Sequence, residues 1–199
     1  MKNIQATEWC RHFIREQVKP GDLCIDATAG NGHDTELLCR LAGAEGRVLA
    51  FDIQETALKK TEQRLREAGL HAGARLILDS HVHMDKYAEK ETVSCIVFNF
   101  GYLPGGDHGL ATRPETSLAA VKTGLALLKT GGLMSLCIYS GGDTGYGERA
   151  VLLPFLRELD EREYLVIRCE YMNRRKDPPL PVLVVKLRRH PCTEALTLL

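Results

Sequence analysis

The sequence predicts an α/β protein built on a seven-stranded mixed sheet, mostly parallel with its last strand antiparallel, and with helices on both faces. Three observations carry that expectation. From residue 22 onward, short apolar runs of strand length alternate with stretches of helical spacing, and strands that alternate with helices require a parallel sheet with right-handed crossovers. Asp26-Ala27-Thr28-Ala29-Gly30-Asn31-Gly32 forms a glycine elbow between the first strand and the helix after it. Residues 164–170 and 182–188 are two strand-like runs with little between them but a polar loop, so they can pair as an antiparallel hairpin at one edge.

The elements follow in order. Trp9, Phe13 and Val18 recur at roughly helical spacing before Pro20-Gly21, which predicts an N-terminal helix laid against the domain. A strand over 22–27 comes next, and Leu37, Leu38 and Leu41 give the following helix its buried stripe, with Gly43 as its stop. Arg47 to Ile53 is a second strand; Ala57, Leu58, Thr61, Leu65 and Ala68 mark a second helix that ends at Gly69. Residues 74–78 make a third strand, a short helix covers Val82–Tyr87, and Val93-Ser94-Cys95-Ile96-Val97-Phe98 is a centrally buried fourth strand. Thr112-Arg113-Pro114-Glu115 has the threonine and glutamate of a capping box with proline in the first turn, so a helix should run from there to about Lys129. Gly131-Gly132 turns the chain into a fifth strand, and one further helix over about Tyr146–Leu159 leads to the hairpin.

With 199 residues and 44% hydrophobic content, the chain suits one well-cored domain, residues 1–19 being a helical segment packed on it. Its 26 basic residues balance 26 acidic ones, so no global field draws it to nucleic acid or an anionic membrane, and any polyanion must be met by a local patch. Seven cysteines, odd in number and without a CxxC pair, mostly fall inside apolar runs and read as reduced core residues of a cytoplasmic protein. Neither a membrane span nor a secretory leader is expected from the lengths of the apolar runs and the charged N-terminus. His81 and His83 with Asp79 or Asp85 invite a metal reading, but side chains two apart diverge on a helix and no third ligand is suitably spaced. No metal is expected.

The elbow, the strand before it, the helix after it and Asp52 at the end of the second strand read as a nucleoside-binding βαβ unit. Glycines let the backbone turn tightly against a ligand, and an acidic side chain about twenty residues on can accept from both ribose hydroxyls. A dinucleotide fingerprint needs a third small residue three places after Gly32, where Thr35 stands. That disfavours NAD and a dehydrogenase, and favours S-adenosylmethionine, which has no pyrophosphate to cradle. The plainer alternative is a tight turn between a strand and a helix.

The arrangement over residues 20 to 188 resembles the Rossmann-like class I S-adenosylmethionine-dependent methyltransferases, whose seven-stranded sheet ends in the reversed hairpin, and Lys129-Thr130-Gly131-Gly132-Leu133 looks like the turn before their fifth strand. More narrowly, Asp26 to Thr35 together with Asn99-Phe100-Gly101-Tyr102-Leu103-Pro104-Gly105-Gly106-Asp107-His108 is similar to the family labelled "putative rRNA methylase", whose members include bacterial tRNA methyltransferases of the MnmM type. The resemblance implies methylation of the aminomethyl group of 5-aminomethyl-2-thiouridine at the tRNA wobble position, with S-adenosylmethionine as methyl donor and the anticodon stem-loop as the bound partner. It places Asp26 and Gly30 near the methionine part of the cofactor, Ala29 among the cofactor-binding residues of the elbow, Asn31, Gly32 and Asp34 at the helix start, and Asp52 on the ribose. Ile53 or Gln54 would flank the adenine, and Asp79 with Ser80 would accept from its amino group. For Asp79, a loop carboxylate capping the short helix is the competing reading.

Asn99-Phe100-Gly101-Tyr102 occupies the end of the fourth strand, where amino-group methyltransferases carry an NPPY-like tetrad; here the prolines are missing but the spacing of asparagine and aromatic is kept. An asparagine oxygen can accept an N–H of the target amine and leave its lone pair facing the methyl, while Tyr102 stacks on the base. An alkylammonium titrates near ~10, so the site must favour the neutral amine, and Asp107 or His108 is the candidate proton acceptor. The glycine-rich loops Gly105-Gly106 and Ser140–Gly147 lie where they could close over a nucleotide, and Arg174-Arg175-Lys176 in the hairpin loop could contact phosphates. The edge hairpin and the N-terminal helix are surfaces a homodimer could use. Methylation of rRNA or of a small-molecule amine, and a non-catalytic cofactor-binding module, are the rival functions.

Overall fold

A computed structural model describes residues 5–101, 113–139, 142–174 and 178–187. Helix α1 (Ala6–Gln17) precedes β1 (Leu23–Asp26), α2 (His33–Ala42), β2 (Arg47–Asp52), α3 (Glu55–Glu67), β3 (Ala74–Leu78), β4 (Val93–Phe100), α4 (Pro114–Leu127), β5 (Leu128–Ile138), α5 (Gly142–Arg157), β6 (Tyr164–Arg168) and β7 (Leu180–Lys186). A short 3-10 turn, His81–Lys86, joins β3 to β4. The seven strands form one sheet in the order β3-β2-β1-β4-β5-β7-β6. β1 to β5 pair in parallel, and β7 runs antiparallel to both β5 and β6.

The two-residue period of a strand sorts the side chains onto two faces. Ile25, Phe51, Ile96, Phe98 and Phe100 face one side with Met84 and the buried residues of α4 and α5. Cys24, Val48, Cys95 and Val97 face the other with Ile14, Leu38, Cys39 and Leu65 of α1, α2 and α3. By the same alternation Asp26 and Asn99, two residues beyond Cys24 and Val97, point to the α1 and α2 side. Strand order reverses at β1, whose neighbours are β2 and β4, so the loops leaving β1 and β4 diverge and open a crevice at the carboxyl edge.

Several boundaries differ from the sequence expectation. The buried face of α1 is Ala6, Cys10 and Ile14, while Trp9 is 36% exposed. The core of α2 is Thr35, Leu38, Cys39 and Ala42, with Leu37 and Leu41 only partly covered. Helix α4 stops at Leu127 rather than Lys129, because Leu128 already pairs with Val93 of β4. The first residues of β5 carry a register shift relative to β4, and Gly131 takes a left-handed φ of 76° there. At the start of α4 the N-cap is Arg113, whose N–H donates to Thr116 Oγ1 at 3.4 Å, one position on from the expected Thr112 and Glu115 pair; Thr112 lies outside the described residues. Helix α5 begins at Gly142, four residues before the expected Tyr146. Among the described residues no helix is long and apolar enough to cross a membrane, and no group of three His, Cys, Asp or Glu could hold a metal ion.

Candidate functional site

The elbow is held from three sides. Ala29 N–H donates to Phe51 O at 2.9 Å, tying the loop to β2, and Gly32 N–H closes back on Ala29 O at 2.8 Å. Thr61 Oγ1 and Arg64 Nε on α3 donate to Gly30 O and Asn31 O at 3.2 and 2.8 Å. Gly30 and Gly32 both have left-handed φ, 54° and 77°. A side chain at Gly32 would also meet Thr61, with a Cβ lying 2.9 Å from the Thr61 Cα. Close packing of α3 against the turn is therefore what demands glycine at this position.

Three carboxylates converge on the elbow. Asp52, at the end of β2, accepts from Gly30 N–H through Oδ2 and from Gln54 N–H through Oδ1, both at 2.9 Å. Each oxygen retains a lone pair, so the residue fixes the loop and can still take a diol. Asp26 is fully buried; its Oδ2 accepts from the Thr35 hydroxyl at 2.6 Å and its Oδ1 from Thr28 N–H at 3.2 Å. Burial first, then the charges of Asp34 and Asp52, push its carboxyl up to about 7, against the pull of the two hydrogen bonds. Asp26 is thus a strut beneath the elbow and has no oxygen exposed to the crevice. Asp34, in the first turn of α2, accepts from Arg11 Nε at 2.7 Å and from Asn99 Nδ2 at 2.8 Å.

Asn99 is half-buried near the end of β4, its own N–H donating to Thr28 Oγ1 at 2.8 Å. Ile53, next to Asp52, is 57% exposed, and Gln54 is the N-cap residue of α3. Asp79 receives the His83 ring Nδ1 at 2.7 Å and Ser80 N–H at 2.7 Å on one oxygen, and the Tyr87 hydroxyl at 3.1 Å on the other. The His83 hydrogen bond in particular draws its carboxyl below the usual range. Ser80 caps the 3-10 turn through its hydroxyl, which accepts from Val82 N–H. Asp79 therefore staples that turn through three hydrogen bonds, while the cap itself is Ser80. His81 is buried edge-on to Phe98; because Ala27 O can only accept, the proton sits on its Nδ1, 3.2 Å away.

The structure brings Asp26, Ala29, Gly30, Asn31, Gly32, Asp34, Asp52 and Asn99 to one edge of the sheet. Tyr102, Asp107, His108, Gly105-Gly106 and Ser140-Gly141 lie outside the described residues, as do Arg175, Lys176 and Asp177 of the hairpin loop. Sequence reasoning gave Arg11 and Arg64 no part in the site, read Thr61 only as a helix core residue, gave Thr28 no role of its own within the elbow and weighed His81 only as a metal ligand. The fold is what brings them to the elbow.

Three carboxylates line the elbow, with the Arg11 guanidinium on Asp34 and that of Arg64 on Asn31 O, and Asp52 keeps open acceptor positions beside a turn too short of small residues for a pyrophosphate. Together with the strand order, this defines a Rossmann-like methyltransferase dependent on S-adenosylmethionine. The chain is 35% identical over 198 residues to an Arabidopsis thaliana protein named tRNA (mnm(5)s(2)U34)-methyltransferase, chloroplastic, covering 93% of this chain and 70% of that one. It superposes on a crystal structure described as a "putative rRNA-methylase" from Clostridium thermocellum with a TM-score of 0.90 and 40% identity, over 94% of this chain and 100% of that one. A Streptococcus mutans protein described as a "putative methyltransferase", crystallised in complex with SAH, matches with a TM-score of 0.83 and 34% identity, over 93% and 99% of the two chains. The family model described as "Putative rRNA methylase" matches residues 48–185, and the chain belongs to that family.

Proposed function

We propose that this methyltransferase acts on the aminomethyl nitrogen of 5-aminomethyl-2-thiouridine at the wobble position of tRNA, giving the 5-methylaminomethyl form. One observation carries the amine: the Asn99 side chain turns its NH2 toward Asp34, 2.8 Å away, and its oxygen has no hydrogen-bond partner among the described residues. An acceptor left open at the end of β4 can take one N–H of a neutral amine and orient the nitrogen lone pair. A hydroxyl nucleophile would need a base at that point instead. The relative named for tRNA mnm(5)s(2)U34 supports the choice of nucleoside.

S-adenosylmethionine supplies the electrophilic methyl group. The chain's part is to hold its ends: Ala29 to Gly32 shape the cradle, Asp52 accepts from the ribose, and Ile53 or Gln54 lies against the adenine. Asp79 and Ser80 face the adenine amino group. Asp26 and Asp34 supply a negative field that a sulfonium favours. Tyr102 stacks on the base and Asp107 or His108 takes the proton released from nitrogen. Positioning and field account for most of the rate, as in other in-line transfers.

The test uses the purified protein, labelled cofactor and, in separate reactions, total tRNA and rRNA from cells lacking the gene, digested to nucleosides afterwards. Label in 5-methylaminomethyl-2-thiouridine supports the proposal. Label confined to an rRNA nucleoside, or transfer only to free amines, overturns it.

A further inference from the structure

A carboxamide presents an acceptor at one end and two donors at the other, and which end meets the substrate depends on what holds the opposite end. At Asn99 the opposite end is held by Asp34. The Asp34 Oδ1 is occupied by Arg11 Nε at 2.7 Å and its Oδ2 by Asn99 Nδ2 at 2.8 Å. Arg11 is further anchored by Glu8 Oε1 at 2.8 Å. A carboxylate locked to a guanidinium offers only acceptors, so the Asn99 amide has one favourable orientation, NH2 toward Asp34 and oxygen away from it. The backbone of Asn99 is pinned as well, through the Thr28 hydroxyl. Arg11 belongs to α1, outside the βαβ unit that holds the cofactor, and Asp34 is 8% exposed.

We propose that Asp34 is a positioning residue for methyl transfer, fixing the Asn99 amide with its oxygen toward the target nitrogen, and that Arg11 on the N-terminal helix keeps Asp34 in that role. This rests on the reading of Asn99 as the amine acceptor. It gives Asp34 a role other than the cofactor contact expected of it, with each of its oxygens already accepting one bond within the protein. It also gives α1 a task in catalysis beyond packing: the helix completes the site through one side chain.

Asp34→Asn changes two atoms and reverses the logic. Its oxygen can still face Arg11, but its NH2 then faces Asn99, and the Asn99 amide must turn to offer oxygen inward and NH2 to the substrate. The expected result is a fall in kcat of roughly tenfold to a hundredfold, the range typical of outer-layer partners, with the affinity for S-adenosylhomocysteine by calorimetry within about twofold of wild type. Arg11→Ala should lower kcat in the same direction and Arg11→Lys should recover most of that loss. A structural role alone would lower the melting temperature without this split between turnover and binding.

A second readout does not depend on turnover. In the nitrogen-15 spectrum of the S-adenosylhomocysteine complex, the Asn99 side-chain amide, assigned by its loss in Asn99→Ala, should show one proton shifted downfield by the carboxylate, and Asp34→Asn should abolish that shift. Wild-type turnover in Asp34→Asn, a parallel loss of cofactor affinity, or an amide signal that Asp34→Asn leaves in place would each overturn the inference. Should the wild-type protein methylate no tRNA, the substrate reading fails, and the amide signal still decides whether Asp34 orients Asn99.

Discussion

Thr35 donates its hydroxyl to Asp26 Oδ2 across 2.6 Å, and both side chains are fully buried. The bond joins the end of β1 to the first turn of α2 directly beneath the glycine elbow. It also gives a physical reason for the residue that spoils a dinucleotide fingerprint. At the place where such a site needs a small side chain for helix to strand packing, this chain needs a hydroxyl to satisfy a buried carboxyl group. Thr35→Val keeps the shape and removes the donor. The expected cost is about 1–3 kcal/mol, the usual range for leaving a buried polar group short of a partner, measured by denaturant unfolding. Thr35→Ser, which keeps the hydroxyl, should lose much less.

The Asp26 carboxyl, raised to about 7 from an ordinary value of 3.8, predicts a pH dependence of unusual sign for an acid. Between those two values the unfolded chain has released a proton that the folded chain still holds. Stability is therefore greatest at the acid end of that window, declines as pH rises toward 7, and levels off above it. Asp26→Asn should flatten this component in urea titrations from pH 4 to 8. A bound sulfonium reverses the preference by favouring the ionised form. Binding of S-adenosylmethionine should then release protons near pH 7 and tighten as pH rises through it, detectable by calorimetry in two buffers of different ionisation enthalpy. Asp26→Asn should abolish the proton release.

Gly32→Ala should weaken the cofactor cradle for two separable reasons. The left-handed φ of 77° costs a non-glycine residue about 1–2 kcal/mol, and the new methyl would sit 2.9 Å from Thr61 Cα and 3.0 Å from Thr61 Cγ2 and Oγ1. Adding Thr61→Gly removes the side-chain clashes, leaves the Cα in place and deletes the hydrogen bond from Thr61 Oγ1 to Gly30 O. The double variant should accordingly recover part of the lost S-adenosylhomocysteine affinity and never all of it. Full recovery, read by calorimetry, would show that backbone approach is not what selects glycine here.

The parallel part of the fold was legible because its signals are local. Leu23–Asp26, Ala74–Leu78 and the buried set Ala57, Leu58, Thr61 and Leu65 of α3 follow from period and punctuation alone. Gly43, with its positive φ, ends α2 where a glycine should. What could not be read is what depends on packing between distant segments. The face of α1 is set by the groove it enters, so Ala6, Cys10 and Ile14 are buried and the largest side chain, Trp9, stays near the surface. The end of α4 is set by β4 pairing, not by its own residues. In the site, the elbow and Asp52 were visible as a motif, whereas Asp34 meets Asn99 across 65 residues and Arg11 across 23. Asp79 and His83 pair at a local spacing of four, a contact that depends on the 3-10 turn between them and that the sequence alone does not specify.

Asn99→Asp offers the sharpest view of the arrangement around β4, since it replaces one nitrogen by oxygen and leaves volume unchanged. The new carboxylate would face Asp34 Oδ2 across a contact that is now a 2.8 Å hydrogen bond. Two carboxylates at that separation cannot both stay ionised, so one must take up a proton for the contact to survive. In the variant, the shared proton is held more tightly in the folded chain than in the unfolded one, and the added stability that proton brings is lost as pH rises. The melting temperature of Asn99→Asp should therefore approach that of wild type near pH 5 and fall progressively behind it toward pH 8. Methyl transfer should fall by about a hundredfold or more at pH 8, because a carboxylate repelled by Asp34 swings toward the crevice and no longer holds the amine in line. A melting curve whose gap from wild type is constant across that pH range would mean that Asp34 and Asn99 do not share a proton-bearing contact in solution.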